Sequence, residues 1–291
     1  MKKYQLVLLI ICIVTLPLGS AIIGVWGHNA YRNRADSNLY YSDEKTFSLK
    51  ELENIKIEVG NADVRIVPGT GDDVKVTLSG YEPNAGGRLE SAMNGGTLDI
   101  KQPSRLRFFN FNIGLLWGAR YVNLVEIEID PHYMGNLDIS SASGRVESDY
   151  LYARRVSVST MSGDVRLGNL TCFDFDCSTM SGNVNVNSLS SDRYNISTMS
   201  GDVNISGLTP GRLDCSTASG RIRVEYKAFG NDISFSTMSG DIDLRLPPDA
   251  RFSLEKSTMS GDMDNELGTD SSSQYRIYMS TMSGDMRIRK R

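Results

Sequence analysis

One short phrase governs this chain: Ser-Thr-Met-Ser-Gly-Asp, or a close variant, occurs eight times between residues 140 and 285. Its glycines are Gly144, Gly163, Gly182, Gly201, Gly220, Gly240, Gly261 and Gly284, separated by 19, 19, 19, 19, 20, 21 and 23 residues. Self-similarity at so narrow a period is the signature of a repeat architecture, in which each unit buries its apolar face only against its neighbours.

Alternation on either side of the phrase supplies the local geometry. Before it stand Val156 and Val158, Phe175 and Cys177, Tyr194 and Ile196, Leu213 and Cys215. After it stand Val165 and Leu167, Val184 and Val186, Val203 and Ile205, Ile222 and Val224. A period of two on both sides predicts two short strands per repeat, joined by a corner at Met-Ser-Gly. Leu151, Leu170, Leu189 and Leu208, each seven residues past the glycine, suggest a third inward edge. The expected fold is all-β: a single-stranded parallel β-solenoid with coils of about 19 residues, in which equivalent strands stack about 4.8 Å apart. Eight coils then rise about 34 Å. Glycine at the corner allows a positive φ or a close backbone approach. Serine and threonine columns can exchange hydroxyl hydrogen bonds. Methionine fills irregular space in a column that otherwise holds Ala142 and Ala218, and parity leaves open whether that column faces in or out.

The segment Ile55–Ile66 aligns without gaps to Val156–Leu167, so degenerate coils are expected over residues 46–135 and regular ones over 136–291. Arg105–Ala119 breaks the pattern with Phe108, Phe109, Phe111, Leu115, Leu116 and Trp117. At 15 residues it is too short to span a bilayer as a helix. It reads as a hydrophobic plug over the solenoid or as a contact segment for a membrane or partner. The chain ends in Met286-Arg287-Ile288-Arg289-Lys290-Arg291, charge that would blunt the open edge of a final coil or attract an anionic polymer.

Residues 6–26 carry no charge and follow Lys2 and Lys3. Their length suits a single transmembrane helix, with residues 1–5 as a short cytoplasmic end and 27–45 as a polar tether. Gly19-Ser20-Ala21 offers a signal-peptidase cut as the competing reading, against which the apolar run continues through Ile22, Ile23, Val25 and Trp26. The repeat domain is therefore expected outside the cytoplasm. A net charge of −4 gives no reason to expect nucleic acid as a partner. Two histidines, His28 and His132, and no Cys-x-x-Cys pair leave no expected metal site or cofactor. Cys177 and Cys215 read as small core hydrophobes that an intervening coil keeps apart.

The column Asp164, Asn183, Asp202, Asp241, Asp262 and Asp285 is the one place where chemistry could hide, since paired carboxylates can cleave a glycosidic bond. Every repeat offers the same group, however, and an active site brings unlike partners together locally. Turn-forming aspartate beside glycine is a sufficient reading. No catalytic residue is assigned, and the chain is read as a non-enzyme.

The apolar N-terminus followed by repeated Ser-Gly-Asp-hydrophobic corners, as in Ser162-Gly163-Asp164-Val165, resembles the bacterial putative-adhesin family of β-strand-repeat proteins, a domain of unknown function. Val125-Glu126-Ile127-Glu128-Ile129, then Pro131 and Leu137-Asp138-Ile139-Ser140, is similar to that family's entry into its repeats. Arg145 and Arg221 depart from it at the aspartate position. The resemblance implies a cell-envelope protein, in some members associated with envelope stress, and identifies no ligand. The chain itself reads as a rigid extracytoplasmic module presenting a repeated face to an envelope protein, glycan or wall polymer. A polysaccharide-active enzyme and a self-assembling envelope scaffold are the alternatives.

Overall fold

The computed structural model describes residues 40–81, 89–102 and 123–291. The expected span at 6–26, the tether as far as residue 39 and the aromatic segment 105–119 lie outside the described residues. Among the described residues no helix is long and apolar enough to cross a membrane. One compact unit spans 38–291, and its described residues are all-β apart from a three-residue turn of 3-10 helix at Leu49–Glu51.

The regular repeats alternate between two sheets, one strand before each corner and one after it. The strands before the corners are β8 (Asn136–Ser141), β10 (Arg155–Thr160), β12 (Asp174–Thr179), β14 (Arg193–Thr198), β16 (Arg212–Thr217) and β18 (Ile233–Ser239). Those after them are β9 (Val146–Tyr152), β11 (Val165–Thr171), β13 (Val184–Ser190), β15 (Val203–Leu208), β17 (Ile222–Tyr226) and β19 (Ile242–Leu246). Successive coils pair in parallel and in register, so Val156 faces Phe175 and Val165 faces Val184. The inward rows of both sheets are buried, including Phe175, Tyr194 and Phe235 from one and Val165, Val184 and Ile242 from the other. The third inward edge is the far end of the second strand. A skipped position at Gly168 shifts the parity there, so that Leu167 and Leu170 both point inward. Cys177 and Cys215 are free and buried, with Ile196 stacked between them.

The fold is not parallel throughout. β1 (Tyr40–Ser48), which includes residues 40–45 expected in the tether, runs antiparallel to β4 (Asp73–Tyr81), and β4 runs antiparallel to β7 (Leu124–Ile129). β5 (Glu90–Asn94) and β6 (Thr97–Lys101) form a hairpin across Gly95 and Gly96, both with positive φ. Two such glycines make the tight turn whose twist matches paired strands. The expectation of a purely parallel solenoid is thus corrected to two mixed sheets of 12 and 11 strands. The segment aligned to the repeats is β2 (Asn54–Val59) and β3 (Asp63–Pro68); it stacks in register on β8 and β9, with Ile55 opposite Leu137 and Val64 opposite Val146.

Stacking order departs from chain order at both ends. The coil made of β6 and β7 lies beyond β2 and β3, although it follows them in sequence. At the other end the chain forms β20 (Ser253–Ser260) and β21 (Met263–Asn265), then β22 (Arg276–Ser283) and β23 (Met286–Lys290). β22 and β23 pair with β18 and β19 on one side and with β20 and β21 on the other. The charged segment 286–291 is therefore not the open edge it was expected to be. It contributes an interior strand with Met286 and Ile288 fully buried, because the ten-residue link from Glu266 to Tyr275 lets the chain fold back. The open edges at this end belong to β20 and β21, and on β20 the exposed Glu255 and Lys256 discourage strand addition.

Candidate functional site

The repeated corner is first a structural device. A Cβ on Gly163, Gly182, Gly201, Gly220 or Gly240 would sit about 2 Å from the carbonyl oxygen of the corner glycine one coil earlier. The same contact orders the last coils, Gly284 against Gly240 and Gly261 against Gly284. Between Gly144 and Gly240 the glycine is required for close approach, while Gly261 and Gly284 also adopt positive φ. At two of the corners a buried threonine holds the turn: Thr179 and Thr198 accept the N–H of Gly182 and Gly201 at 2.8 and 2.9 Å, whereas the equivalent Thr217 and Thr237 hydroxyls have no hydrogen-bond partner.

The acidic column has a comparable task. Asp63 accepts the N–H of Arg145, Asp164 that of Asn183, Asn183 that of Asp202, and Asp202 that of Arg221, at 2.8–3.0 Å. The ladder resumes with Asp241 accepting from Asp285, and Asp285 from Asp262. Each side chain thus ties its own corner to the next one in space. Asn183 does this as well as its aspartate neighbours, so the column needs an acceptor and no charge. These groups are not a set of unlike partners converging on one point.

Chemistry with more variety lies on the outer face of the sheet before the corners. In-register positions give one row Arg155, Asp174, Arg193 and Arg212, and a second Asp176, Asn195 and Asp214. Together they line an open cleft of about 390 Å³. Arg193 and Arg155 donate to Asp174 at 3.0 and 3.1 Å, and these hydrogen bonds, Arg193's above all, hold its carboxyl below the usual range. Asn195 donates to Asp176 at 3.2 Å. Burial raises the Asp214 carboxyl. Arg193 and Arg212 stand as two consecutive arginines in the first row. The sequence carried this face as a cation or anion at 19-residue intervals at the first position of each strand, a signal that the corner motif overshadows.

A second cleft, of about 490 Å³, opens where the coils lengthen, among Lys227, Phe229, Arg251, Asp270 and Tyr275. Phe229 packs edge-on against Tyr226, Phe252 and Tyr275 with ring centroids 5.9–6.1 Å apart. The glycine spacings of 20, 21 and 23 mark this site in the sequence. Among the described residues no His, Cys, Asp and Glu cluster could hold a metal ion. The contact segment Phe108, Phe109, Phe111, Leu115, Leu116 and Trp117 lies outside the described residues.

The Toastrack DUF4097 family model matches residues 52–289. A solved structure described as a putative lipid binding protein from Parabacteroides distasonis ATCC 8503 shares the fold, with a TM-score of 0.53 at 16% identity over 88% of this chain and 98% of that one. Two described as putative adhesins, from the same organism and from Bacteroides fragilis NCTC 9343, give TM-scores of 0.48 and 0.43 at 13% and 15% identity. Each covers 86% of this chain and 97% of its own. None of the curated proteins compared matches the chain.

Proposed function

Starting from the fact that this chain belongs to the Toastrack DUF4097 family, we propose that it is a membrane-anchored, extracytoplasmic binding module of the bacterial cell envelope, adhesin-like and without catalysis. The observation that carries this reading is the outer face of the sheet before the corners. Arginine, aspartate and asparagine side chains stand there in register on a rigid parallel backbone, lining a shallow cleft that a neighbouring polymer can follow from coil to coil. Guanidinium and carboxylate groups at strand spacing suit the hydroxyl and anionic groups of a glycan or wall polymer. The acidic column at the corners, the natural place to look for paired catalytic carboxylates, is occupied with backbone amides of the adjacent coils. The apolar stretch 6–26 supplies the membrane anchor in this reading.

Protease digestion of intact cells or spheroplasts, with a tag after Arg291, tests the placement. Cleavage of the repeat domain from outside is expected, with the N-terminal piece staying in the membrane fraction. Full protection until lysis would overturn the proposal. Sedimentation with purified wall polymer tests the face itself: Arg193→Ala with Arg212→Ala should weaken retention at least tenfold. Unchanged retention would remove the cleft from the binding reading.

A further inference from the structure

Six of the chain's 12 methionines fall in one column at the corner. Read in stacking order, the column is Ala142, Met161, Met180, Met199, Ala218, Met238, Met282, Met259. The register is set by the backbone: Met180 and Met199 donate to Thr160 and Thr179 at 3.2 and 3.1 Å, and Ala218 to Thr198 at 3.2 Å. Beyond Ala218, Thr237 pairs with Thr281 and Thr258 with Thr281, which places Met238, Met282 and Met259 side by side. The methionines therefore occur as two runs of three on consecutive coils, separated by one alanine.

Packing does not explain them. Ala142 and Ala218 occupy the same backbone site, so the fold accepts a methyl group there. None of the six belongs to the hydrophobic core, in contrast to the fully buried Met279 and Met286. Met180, Met282 and Met259 are 41, 50 and 81% exposed. The charged position three residues on changes with them. Coils with methionine carry Asp164, Asn183 and Asp202 in one run and Asp241, Asp285 and Asp262 in the other, whereas the two alanine coils carry Arg145 and Arg221. Thioethers thus share their corners with aspartate or asparagine and are missing from the two corners that carry arginine, while Arg166, Arg221 and Arg287 reach Asp164, Asp241 and Asp285 at 2.6–3.8 Å. A stripe serving only as an apolar surface would have no need of this pairing.

We propose that Met161, Met180 and Met199 form one thioether site, and Met238, Met282 and Met259 a second, each binding a soft monovalent metal ion of the Cu(I) class. Thioether sulfur is a neutral, soft donor that selects Cu(I) over harder divalent ions. Neighbouring coils lie about 4.8 Å apart, and each sulfur ends an unbranched chain with three rotatable bonds, so the outer two of a run can lean toward the middle one. No proton is displaced and no redox step is involved. Cys172, Cys177 and Cys215 are all buried, so their thiols are out of reach of an ion at the exposed corners.

The test is an anaerobic Cu(I) titration of the full chain in detergent, under ascorbate, against a chromophoric Cu(I) chelator. Two equivalents are expected. Met180→Leu and Met282→Leu, which keep the apolar volume, should each remove about one equivalent, and the double variant should lose both with its circular dichroism unchanged. Met180→Ala, a residue the fold already accepts in this column, should behave like Met180→Leu. A double variant that still binds as many ions as the parent chain, or a parent chain that takes none from the chelator, would overturn the proposal.

Discussion

At Gly201 the nearest neighbour of an added Cβ is the Gly182 carbonyl oxygen, 1.9 Å away, and the next is that carbonyl's carbon. Both are backbone atoms in a ladder that cannot shift without disturbing every coil above it. Gly201→Ala should therefore lower stability by about 3 kcal/mol, the upper end of overpacking costs, measurable as a fall in the urea midpoint. The aspartate column makes a finer distinction. Asp202 is needed as an acceptor for the Arg221 N–H at 2.8 Å, and Asn183 fills the equivalent place one coil earlier. Asp202→Ala should cost about 1 kcal/mol through the unmade hydrogen bond, while Asp202→Asn should stay within about 0.5 kcal/mol of the parent. Equal losses in both variants would show that the carboxylate charge matters and that the ladder reading is wrong. These roles were half legible in the sequence. The repetition of glycine and aspartate was plain, but only stacking shows that glycine serves an approach between coils and aspartate a bond between them.

The strands themselves were readable because a period of two needs only the local pattern, and Val156, Val158, Val165 and Leu167 point where their alternation says they should. The β5–β6 hairpin was readable too, in the turn signal Asn94-Gly95-Gly96, which the stronger 19-residue repeat overshadows. The exchanged order of the end coils was not. Like-on-like columns make every coil an acceptable neighbour for every other, so the pattern alone cannot rank them; the length of the Glu266–Tyr275 link was the only hint. The exchange has a measurable result. β20 and β21 pair with β22 and β23 and with no other described strand. A chain stopped after Tyr275 should therefore lose hydrogen-exchange protection in 253–265 as well, although those residues are present. A chain stopped after Phe252 should keep β18 and β19 protected. If 253–265 stayed protected in the longer truncation, β20 and β21 would be shown to stack directly on β18 and β19 when the last coil is missing; a disulfide trapped between cysteines placed at Ser234 and Glu255 in the full chain would refute the stacking order itself.

Over the whole molecule the same column logic separates support from function. Glycine and the aspartate column are committed to neighbouring coils, and the side chains left to face outward, Arg155, Arg193, Arg212 and the methionine runs, are those that vary from coil to coil. A repeat of this kind can keep its scaffold while changing what it displays. The exchanged order of the end coils also bears on how the chain is made. A ribosome delivers residues 253–265 before 276–290, and at about 5–20 residues per second the missing coil arrives roughly 1–5 s later. During that interval the inward side chains Ile233 and Phe235 lack the neighbours Ile277 and Met279 that later cover them. Synthesis therefore ends with the insertion of a wedge: until residues 276–290 slide into place, the nascent chain carries an open apolar slot, the form in which chaperones and wrong partners would meet it.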